Sequence, residues 1–495
     1  MGRCASLALA ALVVPAGATG AQSHDQWVQD LVGSEDEEAR RAAIEGLSAF
    51  GGYRTWLIIL HYGFEDESAL VGDQTQLAVA RLRDPNGIER LLGDKGLRAR
   101  QNAVQVRAAE ALGRLPVPIA AGALAPALQS RIPEMRRMAL WSLERLARES
   151  RLSADEDEVR AAVAKVLERD KDDEVRGAAL LCLAALDEEA ALDVARRSLR
   201  EEVPPAVKVG ALQLLRAVDD DDLEELAAWL LRDGSFAVRE EAVRCLGEIA
   251  TAEAASSLVD FLEVERSERV AWEAALWLRG MTGAPLGRDP GGWRRWLEGS
   301  DGAWEGTSHR AELEHAPTGV SFAGLNVVSD RVAFLIDLSE EMGDERGGAA
   351  PKDVAARELR AALEHLAPAA RFNVVPFGDD AKPWKKELAP ADETNVARAA
   401  DAFDRARAKG RADFWGAHEA ALADPEVDTL VVFTRGELGR GEHRLLPLVA
   451  ELVAERHRYR RVRVEAVLTG ADGELVAAWK ALCGPTGGRC VALDR

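Results

Sequence analysis

The stretch AFLIDLSEEMGD, from Ala333 to Asp344, reads as a buried strand that delivers Asp337 and Ser339 to a loop and is followed by Glu340, Glu341 and Met342. A carboxylate and a hydroxyl at the end of a strand, with more carboxylates close behind, are oxygen ligands of the kind that hold a hard divalent cation. Other residues that could do chemistry fall short of a constellation. HEAAL at His418 begins like a zinc-binding helix, but the fifth position is Leu422, so the second imidazole is missing. His309 and His315 match no ligand spacing, and there is no G-x-S-x-G, no glycine-rich phosphate loop and no C-x-x-C. Asp379-Asp380 and the run Asp219–Asp222 read as solvated turns or helix N-terminal charge. No activated nucleophile or acid–base pair is assembled, and the expectation is a protein that is not an enzyme.

The elements that must position Asp337 belong to a chain of 495 residues, too long for one core. Its first residues carry Arg3, an apolar run from Leu7 to Val14 and small residues up to Ala21, the layout of a secretory signal over 1–21. No later segment approaches the ~20 apolar residues of a membrane span. An exported protein, periplasmic or extracellular and without membrane insertion, is expected. The net charge is −21, unevenly spread: 25 Lys and Arg face 29 Asp and Glu in residues 330–495, against 38 and 55 before them. Such acidity repels phosphate backbones, which argues against a nucleic-acid partner.

Before the strand-like region lies an internal repeat. DDEVRGAALLCL, PPAVKVGALQLL, SFAVREEAVRCL and SERVAWEAALWL align on Val175, Val207, Val238 and Val270, at spacings of 32, 31 and 32. Units around Ala39, Val106 and Met135 fit the template less regularly. Each is an amphipathic helical pair whose apolar face no single pair can bury, so the pairs must stack. The pattern resembles HEAT repeats, and the resemblance implies an α-solenoid over 25–280 that offers a long acidic surface to other proteins. Cys182 and Cys245 share one core position two repeats apart, too far for a bridge. Residues 281–318 read as a cap carrying Trp293 and Trp296, followed by a polar linker.

From 319 to 495 the period changes. RVAFLI, RFNVVPF, VDTLVVF and RVRVEAVL are strand-length apolar runs separated by helical stretches, which means a parallel sheet covered by helices. The whole is therefore multidomain: an all-α superhelix followed by a doubly wound, Rossmann-like α/β unit. Ligands of such sheets bind at the carboxyl ends of strands, where Asp337 falls. AFLIDLSEEM, GRADFWGAHEAAL and VVFTRGE resemble, in order, the strand-one, middle and strand-four segments of von Willebrand factor type A domains. That resemblance implies a metal-ion-dependent adhesion site in which two Ser, one Thr and two Asp hold Mg²⁺. Asp337 and Ser339 match the pattern; Glu341 stands at the second Ser, Ala412 at the Thr and Arg435 at the second Asp. Arg435 stays charged and Ala412 offers no oxygen. The expectation is a vestigial site with no cofactor, in which Arg435 pairs with Asp337 or Glu341 in place of the metal. The alternative is a metal-dependent adhesion protein that binds an acidic partner side chain through a divalent ion at Asp337, Ser339 and Glu341. Cys483 and Cys490 close the last helix and open the last strand, and in an exported chain they are expected to form a disulfide.

Overall fold

The computed structural model describes residues 22–300, 306–312, 320–345 and 348–493. The expected leader, 1–21, lies outside the described residues. Among those described, no helix is long and apolar enough to cross a membrane.

Eight helices stack side by side into one row: α1 (Glu37–Phe50), α2 (Ala69–Ala78), α3 (Asn102–Leu112), α4 (Pro133–Arg148), α5 (Asp173–Leu186), α6 (Pro205–Ala217), α7 (Phe236–Ile249) and α8 (Glu268–Thr282). A second layer of helices, among them Glu156–Arg169, Glu188–Ser198 and Ala252–Val264, backs the row. The aligned residues Val175, Val207, Val238 and Val270 are all within 1% of full burial, because each points between the layers. The base that follows the aligned position links one repeat to the next. Arg40 forks onto Asp66 at 2.8 and 2.9 Å, Arg136 onto Asp170 at 2.6 and 2.7 Å, and Lys208 and Arg239 reach Asp233 and Glu265 at 2.7 and 2.6 Å. Each of these acids also accepts the backbone N–H two residues on, at Ser68, Asp172, Ser235 and Ser267, where the next row helix begins. One carboxylate thus satisfies an orphan donor at a helix start and anchors the preceding repeat. Helix α2 is a repeat that sequence matching passes over, since Gly72 stands where the base belongs. A side chain at Gly72 would strike the Arg107 guanidinium.

After α8 the helix Pro290–Gly299 packs on Ala252–Val264 and buries Trp293, whose indole N–H donates to the Gly287 carbonyl at 2.7 Å. Residues 306–312 are not a free linker. Thr307 and Ala311 bond back to the Gly280 and Leu276 carbonyls of α8, and Arg310 holds Glu273 on the same helix.

The α/β unit is a six-stranded sheet built from β1 (Arg331–Asp337), β2 (Arg371–Phe377), β3 (Ala389–Pro390), β4 (Thr429–Thr434), β5 (Arg463–Thr469) and β6 (Cys490–Leu493). The order is β6-β5-β4-β1-β2-β3, all parallel except the short edge strand β3. Helices α9 (Pro351–Glu364) and α10 (Glu393–Arg405) cover one face, where Leu359 and Phe403 meet Phe334 and Val374. The other face carries α11 (Phe414–Leu422), α12 (Leu446–His457) and α13 (Gly473–Cys483). The apolar cluster on this second face is continuous with the core of the solenoid. Strand β1 is central and the chain departs to opposite sides of it, so Asp337 sits at a topological switch point.

Candidate functional site

The loops that leave the carboxyl ends of the strands are knitted together by their backbones. Leu338 N–H donates to the Phe377 carbonyl, Lys409 N–H to Leu338 and Glu340 N–H to Gly410, at 2.6, 2.7 and 3.0 Å. This brings Asp337, Ser339, Glu341, Ala412 and Arg435 to one end of the sheet. Asp337 is 1% exposed. One of its oxygens accepts the Ser339 backbone N–H and the other accepts the Thr434 hydroxyl, both at 2.7 Å. Burial raises its pKa from the ordinary carboxylate range, and hydrogen bonding from Ser339, Thr434 and the Arg435 backbone only partly offsets that. The Arg435 side chain does not pair with Asp337. Its Nε pairs with Glu341 Oε2 at 3.0 Å, so the pairing expected with either acid is made with Glu341. The reason is local: Thr434, the last residue of β4, already holds the Asp337 carboxylate from the buried side, and the next residue, Arg435, is turned outward. Ala412 is buried and contributes only its carbonyl, which accepts the Arg440 N–H at 3.0 Å.

The residues at this sheet end differ from the ligand set that the resemblance to von Willebrand A domains implies. Both Asp337 oxygens are committed, the Thr position is Ala412, and a guanidinium lies against Glu341. Among the described residues, no group of three or more His, Cys, Asp or Glu is arranged to hold a metal ion.

Cys483 and Cys490 are free, buried thiols in the structure and not the expected disulfide. The helix end and the strand start each bury their sulfur, and burial pushes the Cys490 thiol up to about 11. Cys182 and Cys245 are likewise free and fully buried, in separate repeats.

The larger assembly of charged groups lies elsewhere, on the segment from His443 through α12 to Arg463 at the start of β5. Arg444 pairs with Glu37 of α1 at 2.6 Å, and His443 with Asp73 of α2 at 2.8 Å. Glu451 meets Arg114, in the turn that ends α3, at 3.1 Å, Glu455 meets Arg137 of α4, and Arg456 meets Glu174 of α5. Arg458 forks onto Glu144 of α4, the Arg458 carbonyl accepts from Gln213 of α6, Arg461 approaches Glu241 of α7 at 3.3 Å, and Arg463 meets Glu273 of α8 at 2.8 Å. One segment thus touches seven of the row helices and the turn that ends α3. The α/β unit therefore lies along the row, with this segment against it.

Glu144, Glu174, Glu241 and Glu273 pair with the α/β unit within the chain, so the face of the solenoid that carries them is covered. The signal was present as complementary charge: the run RHRYRR at 456–461 against the acid excess before residue 330. Inside the same segment His457 meets His418 of α11, Nε2 to Nε2 at 2.7 Å, and both rings are buried. Burial lowers both pKa values, and the neighbouring His418 pushes His457 down further. Nothing in the HEAAL stretch hints at that contact.

Residues 198–279 match the family model for HEAT repeats. No curated protein matches the sequence. Among solved structures, a von Willebrand factor type A protein from Catenulispora acidiphila is similar at 18% identity and TM-score 0.29, over 33% of this chain and 38% of that one. Human deoxyhypusine hydroxylase in complex with glycerol is similar at 20% identity and TM-score 0.24, over 50% of this chain and 91% of that one. The complex of CpcE and CpcF of phycocyanin lyase from Nostoc gives 19% identity and TM-score 0.26, over 50% and 85%. At these scores none of the three likenesses bears on function. The chain carries HEAT repeats over 198–279, within a helical solenoid that is followed by an α/β domain.

Proposed function

We propose that the protein is an exported, non-enzymatic interaction scaffold whose α/β domain, of von Willebrand A type, presents a contact face that works without a metal ion. The observation that carries the reading is the Arg435–Glu341 pair at 3.0 Å, beside an Asp337 whose two oxygens are already taken. A cation fixed by a side chain stands where an adhesion site of this type needs an acidic ligand, and Ala412 leaves a further ligand position without oxygen. HEAT repeats supply the scaffold side of the proposal, a fold-level argument. With the face of the helix row that meets residues 443–463 occupied by the chain's own α/β domain, the surfaces left for partners include the sheet end around Arg435 and the outer helix layer.

The test is thermal unfolding of the full chain in Mg²⁺, in Mn²⁺ and in chelator, beside an Arg435→Asp, Ala412→Thr double variant. Ligand at 100 times its Kd adds about 2.7 kcal/mol to the native state. The wild type is expected to ignore the metal and the double variant to gain stability from it. Stabilisation of the wild type by either ion would replace this reading with metal-dependent adhesion through Asp337, Ser339 and Glu341.

A further inference from the structure

A cavity of about 190 Å³ lies in the seam between the solenoid and the α/β domain, away from the sheet-end site. Its charged wall is formed by Arg216 of α6, Arg244 of α7, and Arg458 and Arg461 from the turn between α12 and β5, with Gln213 and Thr486 beside them. No carboxylate lines it. The acids that serve these arginines stand behind the wall. Glu144 takes Arg458 through two bonds of 2.9 Å and also meets Arg148, while Glu248 is shared between Arg216 and Arg244 at 2.8 Å each. Arg461 is the least satisfied of the four. It reaches Glu241 and Glu240 only as ion pairs of 3.3 and 3.7 Å, and Glu240 is already held by Arg269. The Nε atoms of Arg216 and Arg461 are buried without a well-formed hydrogen bond, that of Arg461 lying 3.3 Å from Glu241 Oε2, a carboxylate that Arg216 also pairs with at 3.3 Å. Arg461 also adopts a left-handed backbone, φ 56°, which an arginine takes up only where its surroundings hold it.

Four guanidiniums around one small space, with N–H donors left over, ask for an acceptor that carries negative charge. The size restricts its identity. Sites for drug-sized or cofactor-sized molecules occupy roughly 300–1,000 Å³, and a water takes about 30 Å³, so this cavity suits an anion of a few heavy atoms with a water or two. The guanidinium fork matches the paired oxygens of a tetrahedral oxyanion. We infer that the seam is a binding site for a phosphate-type oxyanion, which ties α6 and α7 of the solenoid to the α12–β5 turn. The bound group is either the free anion or a phosphomonoester carried by a partner, and both present the same oxygens to the four arginines.

Calorimetric titration of the full chain with inorganic phosphate, against sodium chloride of equal ionic strength, tests the site. Saturable one-to-one binding is expected for the wild type, together with a rise in Tm that chloride does not reproduce. Arg461→Gln and Arg244→Gln are each expected to weaken binding tenfold or more. Arg244 is 38% exposed and pairs only with Glu248, so its variant folds even if the buried Arg461 variant does not. Arg169→Gln, an exposed cation on another helix, binds as the wild type does. O-phosphoserine in a second titration separates the sources: tighter binding than phosphate identifies a phosphorylated partner residue, weaker binding the free anion. No saturable binding of phosphate, an equal response to chloride, or an Arg244→Gln chain that binds like the wild type would overturn the assignment.

Discussion

Arg458 and Glu144 lie 314 residues apart in the chain and meet through two hydrogen bonds of 2.9 Å, the closest fork between the α/β domain and the solenoid. Burial disfavours both charges, yet the pairing raises the arginine pKa and lowers that of the glutamate. Removing one partner of a buried pair strands the other, at about 3–5 kcal/mol. Glu144→Gln is therefore expected to lower the stability of the full chain by that order in a denaturant titration. The double variant Glu144→Gln, Arg458→Met should recover part of the loss, since it leaves no buried charge unmatched. Equal stability of the single variant and the wild type would show that the fork contributes nothing to docking. Because the folded glutamate pKa is depressed, its contribution is complete above the unfolded value near 4.3 and is lost as pH falls through the folded value.

His443 gives the opposite pH response. Burial works against its charge, but the Asp73 carboxylate at 2.8 Å overcomes this and raises the pKa. A raised folded pKa contributes stability that is fully present below the unfolded value near 6.5 and disappears as pH rises through the folded value. His443→Gln should therefore cost more at pH 6 than at pH 9, measured as the Tm difference from wild type at each pH. An identical difference at both would mean that the imidazole is neutral in the native protein. His418 and His457 act against this trend, since their depressed values favour neutral rings and lose stability as pH falls below about 6.5.

The parts of the fold that were legible are those written in local periodicity. Val175, Val207, Val238 and Val270 mark their helices because each buries a stripe against its own neighbours, and the apolar run Val332–Ile336 marks the central strand that ends at Asp337. The α2 repeat was hidden by Gly72, which is small because Arg107 needs the room. The identity of the Asp337 partner was also out of reach, since it turns on whether Thr434 or Arg435 faces inward at the end of β4, a question of strand register. Docking of residues 443–463 into the solenoid was unreadable for a different reason. It rests on pairs such as Arg463 with Glu273, 190 residues apart, and nothing local distinguishes those charges from solvated ones.

Asp337 is expected to tolerate loss of its charge. Its raised pKa means that the native state binds a proton more readily than the unfolded chain, so stability declines as pH rises from the unfolded value near 3.9 through the folded one. Asn can accept from the Ser339 N–H with its oxygen and donate to the Thr434 hydroxyl with its amide, so both contacts survive. Asp337→Asn should hold or raise the Tm at pH 7. A marked loss of stability would instead mean that the ionised carboxylate is needed at the sheet end.

The last contact to test is a steric one. Tyr459, fully buried in the turn between α12 and β5, lies over two glycines of the row, Gly177 of α5 and Gly210 of α6. A Cβ at Gly177 would stand 2.8 Å from the Ala206 carbonyl oxygen and 3.0 Å from a Tyr459 ring carbon, whereas one at Gly210 would meet Tyr459 at an ordinary 3.7 Å. The first position has backbone on one side and a packed ring on the other, so neither neighbour yields cheaply. Overpacking of this kind costs about 1–3 kcal/mol. Gly177→Ala should thus loosen the seam, and Gly210→Ala should be near neutral or slightly stabilising through its helix propensity. Limited proteolysis of the two full-length variants, scored by release of the α/β domain, separates these outcomes. Equal resistance of the Gly177 variant and the wild type would show that Tyr459 is not held between the repeats.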